Sequence, residues 1–263
     1  MILDINCDLG EGFGVYSYGA DEEMMPLITS ANIACGFHGG DPAVMRESVE
    51  QAVTQGVAIG AHVGLDDRIG FGRREVPTTA QQAYDLCLYQ IGALEAFVRA
   101  SGARMQHVKP HGALYMMANR DPDLAEAICR AVLSWDPTLF LYVLPDSELH
   151  RRASDAGLPV MPEIFADRPY RDDAVQMYNR TVGDVGDADA VIARTLAQLR
   201  GPHRAQIATV CMHSDTTNAP ALLPTLRTAL IDAGYSFAAP TATLDGELMR
   251  CATQNPMKQE GLV

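Results

Sequence analysis

Short glycine-bearing segments of this chain carry side chains that can do chemistry. They are Asn6, Asp8 and Glu11 in NCDLGEGFG, His38 and Asp41 in SANIACGFHGGDP, and His62 in GAHVGLDD. Lys109 and His111 follow in VKPHGALY, Glu163, Asp167 and Arg168 in EIFADR, and His213 and Asp215 in CMHSDT. Each alone has an ordinary explanation. Asp41 before Pro42 is an N-cap, and glycines such as Gly10, Gly36 and Gly72 permit tight turns. Together, ionisable groups at this density are costly unless they act on something. Three chemistries fit. Asp8 or a histidine can activate water by acid–base catalysis. Asp8, His62 and His111 offer nitrogen and oxygen ligands for zinc or a harder divalent ion, although no HxH or HExxH spacing supports it. Lys109 and the glycine turns can face an anion such as a phosphoryl or acyl-phosphate group. Without GxxxxGK[ST], an independent P-loop nucleotide site is not indicated.

Short apolar runs must position these residues. Strands are expected at Ile2–Leu9, Ser30–Cys35, Val57–Ala61, His107–Pro110, Leu139–Leu144, Val160–Phe165 and Ala208–Met212, with an eighth near Ser236–Ala239. They read as apolar on both faces, the mark of parallel strands covered by helices. Helices are expected at Pro42–Gln55, Thr79–Ser101, Asp121–Ser134, Ser147–Ala156, Asp187–Leu199 and Pro220–Ala233, with Asp or Ser starts and glycine stops. Strand–helix alternation means a parallel sheet, and this number of strands favours a closed barrel. In such α/β barrels, catalytic groups gather at the carboxyl ends of the strands, where these residues fall.

The 263 residues match the roughly 250 of a single (β/α) barrel. Residues 1–250 are read as one domain and 251–263 as a polar tail. Hydrophobic residues are 48% and charged residues 20%, ordinary for a globular domain. A net charge of -13 argues against nucleic acid or an anionic membrane as partner. It leaves room for a small anion met by Lys109, Arg73, Arg74 or Arg168. The six cysteines (Cys7, Cys35, Cys87, Cys129, Cys211 and Cys251) have no paired spacing and read as buried thiols in a reducing cytosol. No basic leader or membrane-length apolar run is present, so a cytoplasmic protein is expected. Homo-oligomerisation stays open.

NCDLGEGFG, SANIACGFHGGDP, GFGRR, VKPHGALY, EIFADRPY and MHSDTTNA together resemble the LamB/YcsF family, from Ile2 to about Ala242. That family contains the A subunit of bacterial 5-oxoprolinase. The resemblance implies a seven-stranded β/α, TIM-like barrel of the glycoside hydrolase/deacetylase type. It implies opening of the lactam 5-oxo-L-proline to L-glutamate, with ATP (and Mg) as co-substrate and subunits B and C as partners. It implies acid–base work by Asp8 with His38 or His62, and anion holding by Lys109 and Arg168. His111 and His213 would polarise the carbonyl or orient water. Glu11, Asp41, Arg74, Glu163, Asp167 and Asp215 would line the substrate site.

The chain departs from the family pattern in loops on the expected active rim. A proline usually follows the GAH histidine, and here it is Val63, ahead of Leu65 and Asp66. Met116 replaces an asparagine, and His213-Ser214-Asp215-Thr216-Thr217 replaces HGDTP. These changes keep alternatives open: a paralogue for another lactam or cyclic amide, a stand-alone metal-dependent deacetylase-like hydrolase, or a non-catalytic ligand-binding subunit.

Overall fold

The computed structural model describes residues 1–171, 174–178, 181–242 and 248–250. The expected tail at 251–263, with Cys251, lies outside them. The barrel strands are β1 (Ile2–Leu9), β2 (Ser30–Ala34), β3 (Ala58–Val63), β4 (Met105–Pro110), β5 (Phe140–Val143), β6 (Val160–Phe165) and β7 (Thr209–Cys211). They run parallel in chain order, and β7 pairs back onto β1, so seven strands close the ring. The expected eighth strand, β8 (Ser236–Phe237), exists but among the described residues pairs only with Ile2 and Leu3 at the foot of β1. It stays outside the closed ring.

The longer helices are α1 (Pro42–Gln55), α2 (Ala80–Ala100), α3 (Gly112–Ala118), α4 (Pro122–Trp135), α5 (Glu148–Asp155), α6 (Ala188–Arg200) and α7 (Ala219–Asp232), with single helical turns at Asp21–Met24 and Val182–Val185 besides. Local chemistry sets their ends. Asp41 Oδ1 accepts from the Ala43 and Val44 amides at 2.8 and 3.0 Å to start α1, and Gly56 ends it at φ +67°. Thr79 and Gln82 form a capping box at α2. Along α2 the buried residues Ala83, Cys87, Ile91, Leu94 and Val98 follow helical spacing and lay one stripe against the core. The sequence reading missed α3, which begins directly after His111.

The expectation of strands apolar on both faces is corrected inside the barrel. Leu3, Ile5, Cys7 and Leu9 of β1 join the hydrophobic core beneath the helices. The alternate residues, Asp4, Asn6 and Asp8, make polar contacts across the barrel interior. At the lowest level, Asp4 accepts hydrogen bonds from the hydroxyls of Thr29, Ser30, Tyr142 and Thr209. Above it, Asn6 donates to Thr209, Asn32 donates to Asn6, and the His107 ring meets Asn32 Oδ1 at 2.7 Å. Gly60 makes room for that ring, since a Cβ there would overlap the His107 imidazole. An apolar group of Phe140, Tyr142, Met161 and Ala208 completes the filling. The two lower layers are thus built from mutually hydrogen-bonded side chains, as buried polar groups require, whereas Glu163 Oε1 and His38 Nδ1 above them have no hydrogen-bond partner among the described residues.

Candidate active site

The top polar layer is the candidate site. Register places it: Asp8 lies beside Asn32, His62 beside Lys109, and Glu163 beside Thr209. Lys109 Nζ is 3.0 Å from Asp8 Oδ1, 3.1 Å from Glu163 Oε2, 3.1 Å from Asn6 Oδ1 and 3.1 Å from Cys211 Sγ. Burial disfavours the ammonium, but Asp8, Cys211 and Glu163 outweigh it and hold Lys109 well above its ordinary pKa. Burial would also raise Asp8. His62, Lys109 and His213 reverse that and hold Asp8 well below the usual carboxylate range. Asp8 Oδ2 lies 3.2 Å from both His62 Nε2 and His213 Nε2. An ionised carboxylate aimed at two imidazoles can move a proton.

On one side of Asp8, Glu11 and three histidines pack together. His38 Nε2 is 3.2 Å from Glu11 Oε1, and the His38 and His111 rings stack 3.7 Å apart. His62 Nδ1 meets the Lys109 carbonyl oxygen at 3.0 Å, and His111 Nε2 meets that of Phe71 at 2.8 Å. Burial, followed by the other histidines, pushes His38 and His111 well down, towards neutrality. Burial, with Asp8 and Asp215, pushes Glu11 well up. The loop after β3 is fixed by Gln90 of α2, whose amide both accepts from the Gly64 N–H and donates to its carbonyl, each at 2.9 Å. Gly64 has to be glycine, because a Cβ would stand 2.5 Å from His38 Nδ1.

On the other side, Asp167 accepts from the Arg168 guanidinium and from Thr216, and its Oδ1 lies 3.1 Å from His213 Nδ1. Burial opposes ionisation of Asp167. Arg168 and His213 prevail and keep it far below its ordinary pKa. Burial and Arg168 push His213 down against the pull of Asp167 and Asp8. Asp215 is held by Arg73 Nη2 at 2.9 Å and Tyr18 OH at 2.9 Å, with Arg168 at 3.9 Å.

The structure therefore brings together Asp8, Glu11, His38, His62, Lys109, His111, Glu163, Asp167, Arg168, His213 and Asp215. It does not bring in Asp41 or Arg74. Asp41 spends both oxygens on capping α1 and on the Gly14 amide, and Arg74 lies exposed against Asp67. Lys109 and Arg168 are tied to acids inside the cluster rather than standing free to hold an anion. The sequence reading missed Asn32, His107, Cys211, Thr216 and Tyr18. The inward alternation of Asp4, Asn6 and Asp8 was the one legible signal for a polar interior. Among the described residues, two groups of atoms could hold a metal, each within 4.8 Å: Glu11, His38, His62 and His111, and Asp8, Cys211 and His213.

Residues 3–245 match the LamB/YcsF family. The chain belongs to the LamB/YcsF family. Among LamB/YcsF relatives, the A subunit of 5-oxoprolinase from Tolumonas auensis is 44% identical over 247 residues, covering 90% of this chain and 98% of its own. The corresponding subunit from Brevibacillus brevis is 46% identical over 249 residues, covering 90% and 97%. The crystal structure of a lactam utilization protein from Thermus thermophilus superposes with a TM-score of 0.82 at 43% identity, covering 91% of this chain and 100% of that one. The catalytic domain of a peptidoglycan N-acetylglucosamine deacetylase from Eubacterium rectale, 10% identical with a TM-score of 0.52, shares the fold alone. No described helix of this LamB/YcsF chain is long and apolar enough to cross a membrane.

Proposed function

We propose that this chain is the A subunit of an ATP-dependent 5-oxoprolinase, which opens the lactam 5-oxo-L-proline to L-glutamate together with subunits B and C. The observation that carries the reading is Asp8. It is a buried carboxylate held ionised within 3.2 Å of His62 and His213, in a chain that aligns over 90% of its length with a protein named as the A subunit of 5-oxoprolinase.

Asp8 takes a proton from the water that attacks the lactam carbonyl carbon. That proton passes across the 3.2 Å contact from Asp8 to His213 Nε2, and His213, steadied by Asp167 at Nδ1, delivers it to the ring nitrogen as the C–N bond breaks. Lys109 acts through Asp8: its ammonium keeps that carboxylate ionised. Arg73 is also paired with an acid, Asp215, but unlike Lys109 and Arg168 it is partly exposed, over the Phe71 ring, and it meets the substrate carboxylate. ATP, with Mg, is a co-substrate of the complex: phosphorylation of the lactam oxygen, with ADP as the leaving group, followed by release of phosphate on hydrolysis, couples it to an opening that is unfavourable near neutrality. The reaction runs in the cytoplasm.

The test is reconstitution with subunits B and C, ATP and a panel of lactams, following amino-acid release. Glutamate from 5-oxoproline is the expected product. Release only from a different lactam would reassign the substrate, and no ATP-dependent release from any lactam would defeat the proposal.

A further inference from the structure

Tautomers can be assigned in the Glu11–histidine group from backbone contacts alone. His62 Nδ1 faces the Lys109 carbonyl oxygen and His111 Nε2 faces that of Phe71, so each of these nitrogens carries the hydrogen. The other nitrogens, His62 Nε2 and His111 Nδ1, then turn lone pairs towards each other at 3.0 Å. Glu11 Oε1 stands 3.4 Å from His111 Nδ1 and 3.8 Å from His62 Nε2. Asp8 Oδ2 adds a further acceptor 3.2 Å from His62 Nε2, so acceptors converge on one point that has to hold positive charge, and that same charge keeps Asp8 ionised from the His62 side. Tetrahedral nitrogen ligands, each about 2.0–2.1 Å from zinc, lie about 3.3 Å apart, close to these separations. Both histidines are also oriented by carbonyls in the manner of metal ligands.

We propose that Glu11, His62 and His111 form a three-ligand site for a divalent ion of the zinc class, with one position open. The set differs from the expected Asp8, His62 and His111. Asp8 Oδ1 is taken by Lys109 and Asn32, and its Oδ2 is shared between His213 and His62, each 3.2 Å away, so Asp8 meets the pocket at His62 alone and is left to balance its charge. His38 is excluded as a fourth ligand by ring geometry. Its ring lies parallel to His111, 4° apart in plane and 3.7 Å away, so the two cannot both aim in-plane lone pairs at one ion. His62 stands at 83° to His111 and can. His38 instead donates Nε2–H to Glu11 and holds that carboxylate in place. When bound, such an ion supplies Lewis-acid polarisation of an oxygen ligand beside Asp8. The site stands on its own geometry and not on the lactam reading.

The full chain is stripped with a chelator, dialysed, and titrated with zinc, with cobalt as a spectroscopic probe. The expected result is one ion per chain, a rise in Tm on zinc addition, and cobalt absorption of a low-coordinate site. Glu11→Gln, His62→Gln and His111→Gln are expected to lose stoichiometric binding while keeping the wild-type circular dichroism. His38→Gln is expected to bind one ion about 10–100-fold more weakly, and His213→Gln to bind it as the wild type does. Absence of zinc binding by the folded wild-type chain overturns the site. So does full binding by folded Glu11→Gln and His111→Gln. Loss in His38→Gln equal to that in His62→Gln overturns the three-ligand assignment. Zinc binding without lactam turnover would leave the site standing and defeat only the lactam reading.

Discussion

Asp8 differs from its acidic neighbours in what surrounds it. His62, Lys109 and His213 keep it ionised, whereas Glu11, a few residues on, is pushed up by burial, Asp8 and Asp215. Carboxylates whose environments drive their pKa values apart are suited to different tasks. Asp8→Asn is expected to lower turnover by about 10²–10⁴-fold in the reconstituted complex. Circular dichroism should be unchanged, because Asn keeps an oxygen for Lys109 and Asn32, and Glu163 still balances the ammonium. Asp167 gives a pH signature. Its folded pKa is depressed below the unfolded value of about 3.9, so its stabilisation is present above that pH and is lost as pH falls towards the folded value. Urea midpoints measured from pH 6 to pH 3 should fall less steeply in Asp167→Asn than in the wild-type chain. An equal slope would show that the Arg168 and His213 contacts do not lower this pKa.

Among the elements, α2 does more than cover the barrel. Its apolar stripe is interrupted by Gln90, fully buried, whose amide closes two hydrogen bonds on Gly64 just past His62. Gln90→Leu keeps the bulk and strands a buried N–H and a buried C=O. Each stranded group costs about 1–3 kcal/mol, and chemical unfolding should show the loss. Turnover should fall as well, because Gly64 packs against His38. The helix starts were legible from Asp41-Pro42, Thr79 and Asp121-Pro122, where capping is a contact within a few residues. Gln90 was not legible, since nothing in its neighbours announces a partner 26 residues away.

For the whole barrel, closure depends on polar ties as well as ladders. Asp4 accepts hydroxyls from the Thr29–Ser30 entry to β2, from Tyr142 of β5 and from Thr209 of β7. Asp4→Ala removes the acceptor of all of them and opens a hole on the axis. A loss of about 3 kcal/mol or more is expected, read as a lower urea midpoint. Stability close to that of the wild-type chain would show that the layer is incidental. Asp8→Asn, higher on the same strand, should shift stability far less, which separates an acid that holds the barrel from one that works in it.

The sequence by itself determined the alternation of strands and helices, the positions of the main helices, and the gathering of Asp8, His62, Lys109 and His111 at strand ends. These follow from local rules: periodicity, caps, and the direction of a parallel strand. It also carried the motifs by which the family was recognised. Only the tertiary structure decided which acids face which histidines. It sent Asp41 to a helix cap, Arg74 to the surface, β8 outside the ring, and Lys109 into a four-way contact. Those outcomes depend on register and barrel closure, which join residues as far apart as Asp4 and Thr209. Pairing at that distance leaves no periodic trace along the chain.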